Sequence, residues 1–257
     1  MKTINQVKGF SKERFWQVVK RFWILNQKKW LIGFAGGSGI LLVVYMLTSF
    51  QILDTSTPMP NSMAGVAIVA LGLTLYKYGG YFLTSGIFNE LGKKSSASQM
   101  LTLPATNLEK FVAGWFLSYF LYTIVVVGLL YIVGILLGIN PILTSQQLSD
   151  PLVNMSNVYF LDTMLTFTAL HSVFFLGSIY FDGNNFLKTL LAIVLTFAFL
   201  GILSLILISI TPNEISFSYQ FIHSPARLYL SAAIVKIAVA VFFLFLSYRQ
   251  LQNRQVA

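Results

Sequence analysis

Six long apolar runs dominate the chain, at 30–50, 63–85, 111–137, 158–181, 187–210 and 228–247. Each has the roughly 20 residues that an α-helix needs to cross ~30 Å of hydrocarbon at 1.5 Å per residue. The polar stretches between them are short, and one differs from the rest. Residues 93–110, KKSSASQMLTLPATNLEK, form a basic, polar interruption between the second and third runs. Ahead of the first run, Phe15, Val18, Val19, Phe22 and Trp23 recur at three- and four-residue spacing, while Arg14, Gln17, Lys20 and Arg21 fall mostly elsewhere. That periodicity predicts an amphipathic helix over 10–29, lying in a headgroup layer with its cations toward anionic lipid.

Composition agrees with the pattern. The chain is 56% hydrophobic and 10% charged, with 23 Phe and a mean hydropathy of +0.74. Soluble domains carry about 25% charged residues, so lipid is the expected solvent. There is no Cys, which excludes disulfides, thiol chemistry and Cys-ligated metals. A basic region of this length, without a short apolar core and small-residue cleavage site, is unlike a cleavable signal peptide.

The net charge of +9 becomes informative once it is placed along the chain. Lys2, Lys8, Lys12, Arg14, Lys20, Arg21, Lys28 and Lys29 precede the first run. Lys93, Lys94 and Lys110 follow the second, Lys188 the fourth, and Arg249 and Arg254 the sixth. If the runs alternate across the membrane, these cations share one side. The opposite connections hold Asp54, Asp150 and Glu214, with Arg227 as their only cation. Cations near short loops stay cytoplasmic, which places both termini inside and gives no reason to expect nucleic acid as a partner. The predicted fold is an all-α integral membrane protein with six transmembrane helices. Residues 1–29 form the interfacial helix and 30–257 a single membrane domain.

Among the external connections, Pro58 and Pro60 stop the helix in 51–62, and 140–157 is a longer, Pro-broken loop. Segment 211–227 is too short to cross and too apolar for a solvated loop. It reads as a re-entrant or interfacial segment, or else as a capping loop.

Motifs for chemistry are mostly missing. No phosphate-cradling G-x-x-x-x-G-K-[ST] and no H-E-x-x-H is present, so neither nucleotide hydrolysis nor zinc catalysis is expected in this chain. Gly36-Gly37-Ser38-Gly39 could place a nucleophilic serine in the membrane, with His171 as its base. The same glycines also suit close helix packing. Asp162, His171, Lys236 and Lys77 are ionisable residues within the runs, where each is costly. Asp162 lies ~6 Å and Lys236 ~12 Å below the external ends of their runs, depths that allow an ion pair. Lys77 reads as snorkelling to the inner surface, and Lys236 as snorkelling outward or facing a pathway. His171 is either a neutral interior residue or a proton relay.

Leu103-Pro104-Ala105-Thr106 with Glu109-Lys110, set among a basic amphipathic helix, two spans, a polar cytoplasmic segment and four further spans, resembles an ABC-2 type permease. This is the membrane subunit of an ATP-binding cassette transporter, usually an exporter. Asn107 stands where the family commonly has a basic residue, and Gly114 lacks the following Lys. The Asn-Leu-Glu-Lys version resembles that of Bacteroidetes-type permeases. The resemblance implies a bacterial cytoplasmic membrane and a coupling segment at 86–110. Within it, a helix over 88–98 would dock on a separate ATPase subunit, with Phe88 and Leu91 as apolar anchors and Glu90, Lys93 and Lys94 at the rim. Leu103, Pro104, Thr106, Glu109 and Lys110 would form the turn launching the third span, with Thr106 or Asn107 as its cap. A second permease copy is the other implied partner. The chain would hold no cofactor, ATP and Mg residing on the ATPase. The other readings are a stand-alone carrier or channel using Asp162, His171 and Lys236, and an intramembrane serine protease.

Overall fold

A computed structural model describes residues 9–49, 61–92, 94–136, 151–210 and 225–256, and every regular element among them is helical. The helices are α1 (Lys12–Ser49), α2 (Asn61–Ser85), α3 (Lys94–Leu101), α4 (Asn107–Trp115), α5 (Tyr122–Leu136), α6 (Pro151–Tyr180), α7 (Asn185–Ile210) and α8 (Pro225–Val256). A 3₁₀ turn, Asn89–Gly92, precedes α3, and a π-helical segment, Phe116–Leu121, joins α4 to α5. Among the described residues, four stretches are long and apolar enough to cross a membrane: Asn107–Ile132, Leu161–Tyr180, Asn185–Ile210 and Tyr229–Arg254. They coincide with the third to sixth expected runs, and the chain is a multi-pass, helical membrane protein.

Three boundaries differ from expectation. The amphipathic segment and the first run are successive parts of one helix, α1. No proline interrupts it, and a glycine inside a helix costs only about 1 kcal/mol. Helices α6 and α8 begin at Pro151 and Pro225, so 151–157 and 225–227 are first helical turns rather than connection. Proline fits there because the first N–H of a helix has no intrahelical acceptor. Residues 211–224, the bulk of the expected re-entrant or interfacial segment, lie outside the described residues. The third difference concerns 88–98, which is no single docking helix. It divides into the 3₁₀ turn and α3, with Lys93 outside the described residues.

Side-chain pairings set the direction of each helix. Tyr76 meets Phe167 and Tyr81 meets Phe174, so α2 and α6 run parallel. Phe111 meets Phe175 and Tyr119 meets Phe167, so α4 and the π segment run against them. Lys236 reaches Asp162 and Arg254 reaches Asp182, which makes α6 and α8 parallel; this is the most extensive helix pairing in the fold. Helix α1 follows α4, with Arg14 at Glu109 and Trp30 at Tyr122. Buried side chains gather at the end of the bundle where α2, α6 and α8 finish and α1, α4 and α7 begin. Phe22, Phe88 and Phe175 interlock there edge to face. By contrast α7 is buried nowhere along its most apolar stretch.

Two glycines explain how closely the helices approach. A Cβ on Gly177 of α6 would overlap the Thr189 side chain of α7, and one on Gly80 of α2 would overlap the Phe167 ring and lie 2.7 Å from Tyr122. Around Gly36, Gly37 and Gly39, no described residue would come within 4 Å of such an atom. Gly177→Ala should therefore lower stability by about 1–3 kcal/mol through overpacking, whereas Gly37→Ala should be neutral or stabilising by up to ~1 kcal/mol. Thermal unfolding of the two variants in detergent distinguishes them; equal effects would contradict this packing.

Candidate functional site

The turn at Pro104 is closed by a reciprocal cap. Thr106 is extended (φ −68°, ψ 158°), and its hydroxyl accepts a hydrogen bond from Glu109 N at 3.2 Å. The Glu109 carboxylate accepts in return from Thr106 N at 2.7 Å. This is the Thr-x-x-Glu capping box, and it confirms Thr106 as the cap of the helix after the turn. Glu109 does more than cap its own helix. Its Oε1 accepts from Ser11 N at 2.7 Å and from Arg14 Nη2 at 2.9 Å, while Arg14 Nε approaches both oxygens at 3.2 and 3.3 Å. The carboxylate is fully buried, and it therefore closes the N-termini of α1 and α4 together. Gly9 turns the chain with φ +86°, and its carbonyl accepts from Arg14 Nη2 at 2.6 Å. Lys110, next in sequence, is buried with Arg21 and Glu109 as charged neighbours.

The segment leading to that turn is held from both ends of the chain. Arg21 of α1 donates to Glu90 at 3.2 Å. Arg254, near the end of α8, donates to Leu91 O at 3.3 Å and Tyr180 O at 2.7 Å, and pairs with Asp182 at 2.8 Å. Gly92 passes so close to the α6–α7 connection that a Cβ would lie 2.9 Å from Gly183 N. The expected docking residues are placed differently from their assignment. Phe88 is fully buried between Phe22 and Phe175, Leu91 is buried, and Glu90 is engaged by Arg21. Phe88 and Leu91 are therefore corrected from surface anchors to core residues; the interior of the bundle offers their apolar surface a better environment than a polar linker does. Lys93, and the side chain of Lys94, lie outside the described residues. Among the described side chains of this segment, Asn89, Ser98, Gln99, Thr102, Pro104 and Leu108 are exposed, while Leu103 is half-buried.

Farther into the bundle, Lys236 Nζ donates to Asp162 Oδ1 across α8 and α6, the pair that their depths suggest. It lies about 27–30 Å along these helices from the Arg254–Asp182 pair. His171 is buried against Ser118, whose Oγ lies 3.0 Å from Nε2 and donates to Gly114 O at 2.8 Å. With the hydroxyl hydrogen used on Gly114, Nε2 is the donor to Ser118. Ser118 sits in the π segment, where the widened helix brings the hydroxyl to the ring. Tyr119, Phe167 and Phe175 surround the imidazole. The sequence pairing of Ser38 with His171 is thus replaced by Ser118 with His171. Beside this, Tyr119 bonds Thr168 at 2.8 Å and Tyr76 bonds Thr123 at 3.0 Å. Among the described residues, no three His, Asp or Glu side chains converge as a metal site.

Sequence reasoning missed Arg14, Arg21 and Arg254 as partners of the segment between α2 and α4. The only local signal was Thr-x-x-Glu at 106–109; the arginines come from far along the chain, Arg21 lying 69 positions from Glu90, Arg14 95 from Glu109 and Arg254 163 from Leu91. A double-mutant cycle of Arg14→Gln and Glu109→Gln should give a coupling energy of about 1–3 kcal/mol, the range for charge-assisted bonds in shared networks. Additive effects in detergent unfolding would show that the clamp contributes nothing. Searches with the whole chain found no matching family model, no matching curated protein and no matching solved structure.

Proposed function

We propose that the chain is the membrane-spanning permease subunit of an ABC-2 type transporter, with six spans and both termini cytoplasmic. The observation that carries this reading is the folded connection between α2 and α4. It is a 3₁₀ turn, a short helix and a capped proline turn, clamped by Arg14, Arg21 and Arg254 to the first and last helices. A solvated loop needs no such anchoring. A lever does, because a force applied to it must reach the helices that move. Lacking a phosphate-binding loop, the chain would take its energy from a separate ATPase docking on the exposed face of α3 and the turn, with Lys93 and Lys94 at the rim. A second copy of the permease would complete the pathway, and closure of the ATPase subunits would open it outward.

The orientation follows from the cation count, and the meeting of both terminal helices with the coupling segment supports it. Because the native chain has no Cys, single cysteines report sidedness cleanly. Thr102→Cys should react with an impermeant maleimide only when the cytoplasmic face is exposed, and Asn213→Cys only from outside. Labelling of both from one side would refute the topology.

Docking is tested by gentle purification from native membranes. A polypeptide with a phosphate-binding loop should co-elute, and Lys93→Glu with Lys94→Glu should reduce its recovery on the order of ten-fold, the effect of losing about 1.4 kcal/mol. Membrane insertion should be unchanged. Full recovery and full transport in that variant would overturn the docking assignment.

A further inference from the structure

On α1, Gln17, Lys20, Arg21, Ile24 and Leu25 follow one another at three- and four-residue spacing and form a single stripe. This stripe lines one wall of a cleft whose other wall carries Gln99 of α3 and Glu90. Lys20 is exposed to the cleft. Arg21 uses Nη2 on Glu90, while its Nε is buried without a hydrogen-bond partner among the described residues. A buried donor without an acceptor is rare. Glu90 offsets one of the two cations, so the cleft keeps a single positive charge.

The depth of the cleft is set by its neighbours. Arg14 is fastened to Glu109 at the start of an apolar, membrane-length helix, and Arg21 to Glu90 just past the end of α2. The cationic half of the stripe therefore lies at the polar edge of the bundle. One turn farther along, Ile24 and Leu25 are 52% and 47% exposed, and the same face continues to the exposed Lys28 and Lys29. Bare apolar surface set between pairs of cations matches an amphiphile better than a free anion, which has no use for the apolar part.

We propose that the cleft between α1 and α3 binds the phosphate headgroup of one anionic phospholipid, with an acyl chain lying against Ile24 and Leu25. The phosphodiester carries one negative charge, equal to the charge the cleft leaves unbalanced. Its oxygens accept from Lys20 Nζ and the Arg21 guanidinium, and Gln17 and Gln99 supply neutral donors beside them. The bound lipid would brace the coupling segment against α1, because the same Arg21 holds Glu90. This inference needs only a membrane-spanning chain and stands whether or not an ATPase is its partner.

The test uses the full chain in detergent, with native mass spectrometry after addition of phosphatidylglycerol or phosphatidylcholine at equal concentration. Phosphatidylglycerol should be retained on the order of ten-fold better, and Lys20→Gln should remove most of that preference. Arg21→Lys keeps the charge for Glu90 and deletes the forked guanidinium donors, so it should weaken retention several-fold with the unfolding temperature in lipid-free detergent preserved. Should that variant fail to fold, Ile24→Ser, at an exposed position, provides the second arm and should also weaken retention. Equal retention of the two lipids, or a preference untouched by Lys20→Gln, would overturn the proposal. So would displacement of the lipid by millimolar inorganic phosphate, which would mark a small-anion site. Loss of a co-purifying polypeptide in Lys20→Gln with lipid retention intact would mark a protein-docking surface instead.

Discussion

A carboxylate with no exposure to water, Glu109, holds together the end of the bundle on which the rest depends. Removing an ionised carboxyl from solvent costs several kcal/mol unless donors replace the lost water. Here they are supplied by Ser11 N, Thr106 N and the Arg14 guanidinium. Two of these are N-terminal amides of separate helices, whose aligned dipoles also favour a negative charge. The start of α1 and the start of α4 are consequently fixed to one atom group. The Pro104 turn immediately precedes it, so its position relative to α1 is fixed too.

From that point the remaining contacts at this end fall into place. Arg21, two turns along α1, reaches Glu90, and Arg254 arrives from α8 to satisfy the carbonyls of Leu91 and Tyr180. The segment between α2 and α4 thus has attachments to the first helix, the last helix and the α6–α7 connection. Movement of α6 with α8 is restrained at two depths, by Arg254 with Asp182 and by Lys236 with Asp162. By contrast α7 packs against α6 near its start, at Asn185 and Thr189, and is uncovered along its most apolar stretch.

Legibility varied with the range of the interaction. The apolar runs were readable because each is a local property of about 20 consecutive residues. The Thr106 cap was readable for the same reason, its partner standing three residues away. Lys236 with Asp162 was accessible by a depth calculation, since membrane thickness gives positions on different helices a common scale. Phe88 and Leu91 were misplaced because an apolar residue in a polar linker serves equally well as a surface anchor or as a plug in the core. Phe22 and Phe175, which enclose Phe88, lie on helices remote in sequence. Arg14, Arg21 and Arg254 were visible only as charges expected to share one side of a membrane.

By itself, the sequence determined the solvent of this protein, the helical form of its long runs and the sidedness that its cations favour. These follow from transfer of apolar residues to lipid and from backbone hydrogen bonding satisfied within each helix, and neither requires a neighbour. Tertiary structure alone decided that Glu109 joins two helices, that His171 bonds Ser118 rather than Ser38, and that Phe88 faces inward. Those outcomes depend on which helices lie side by side and in which direction. That arrangement is set by the close approach at Gly80 and Gly177 and by ion pairs between distant positions, none of which a linear pattern contains.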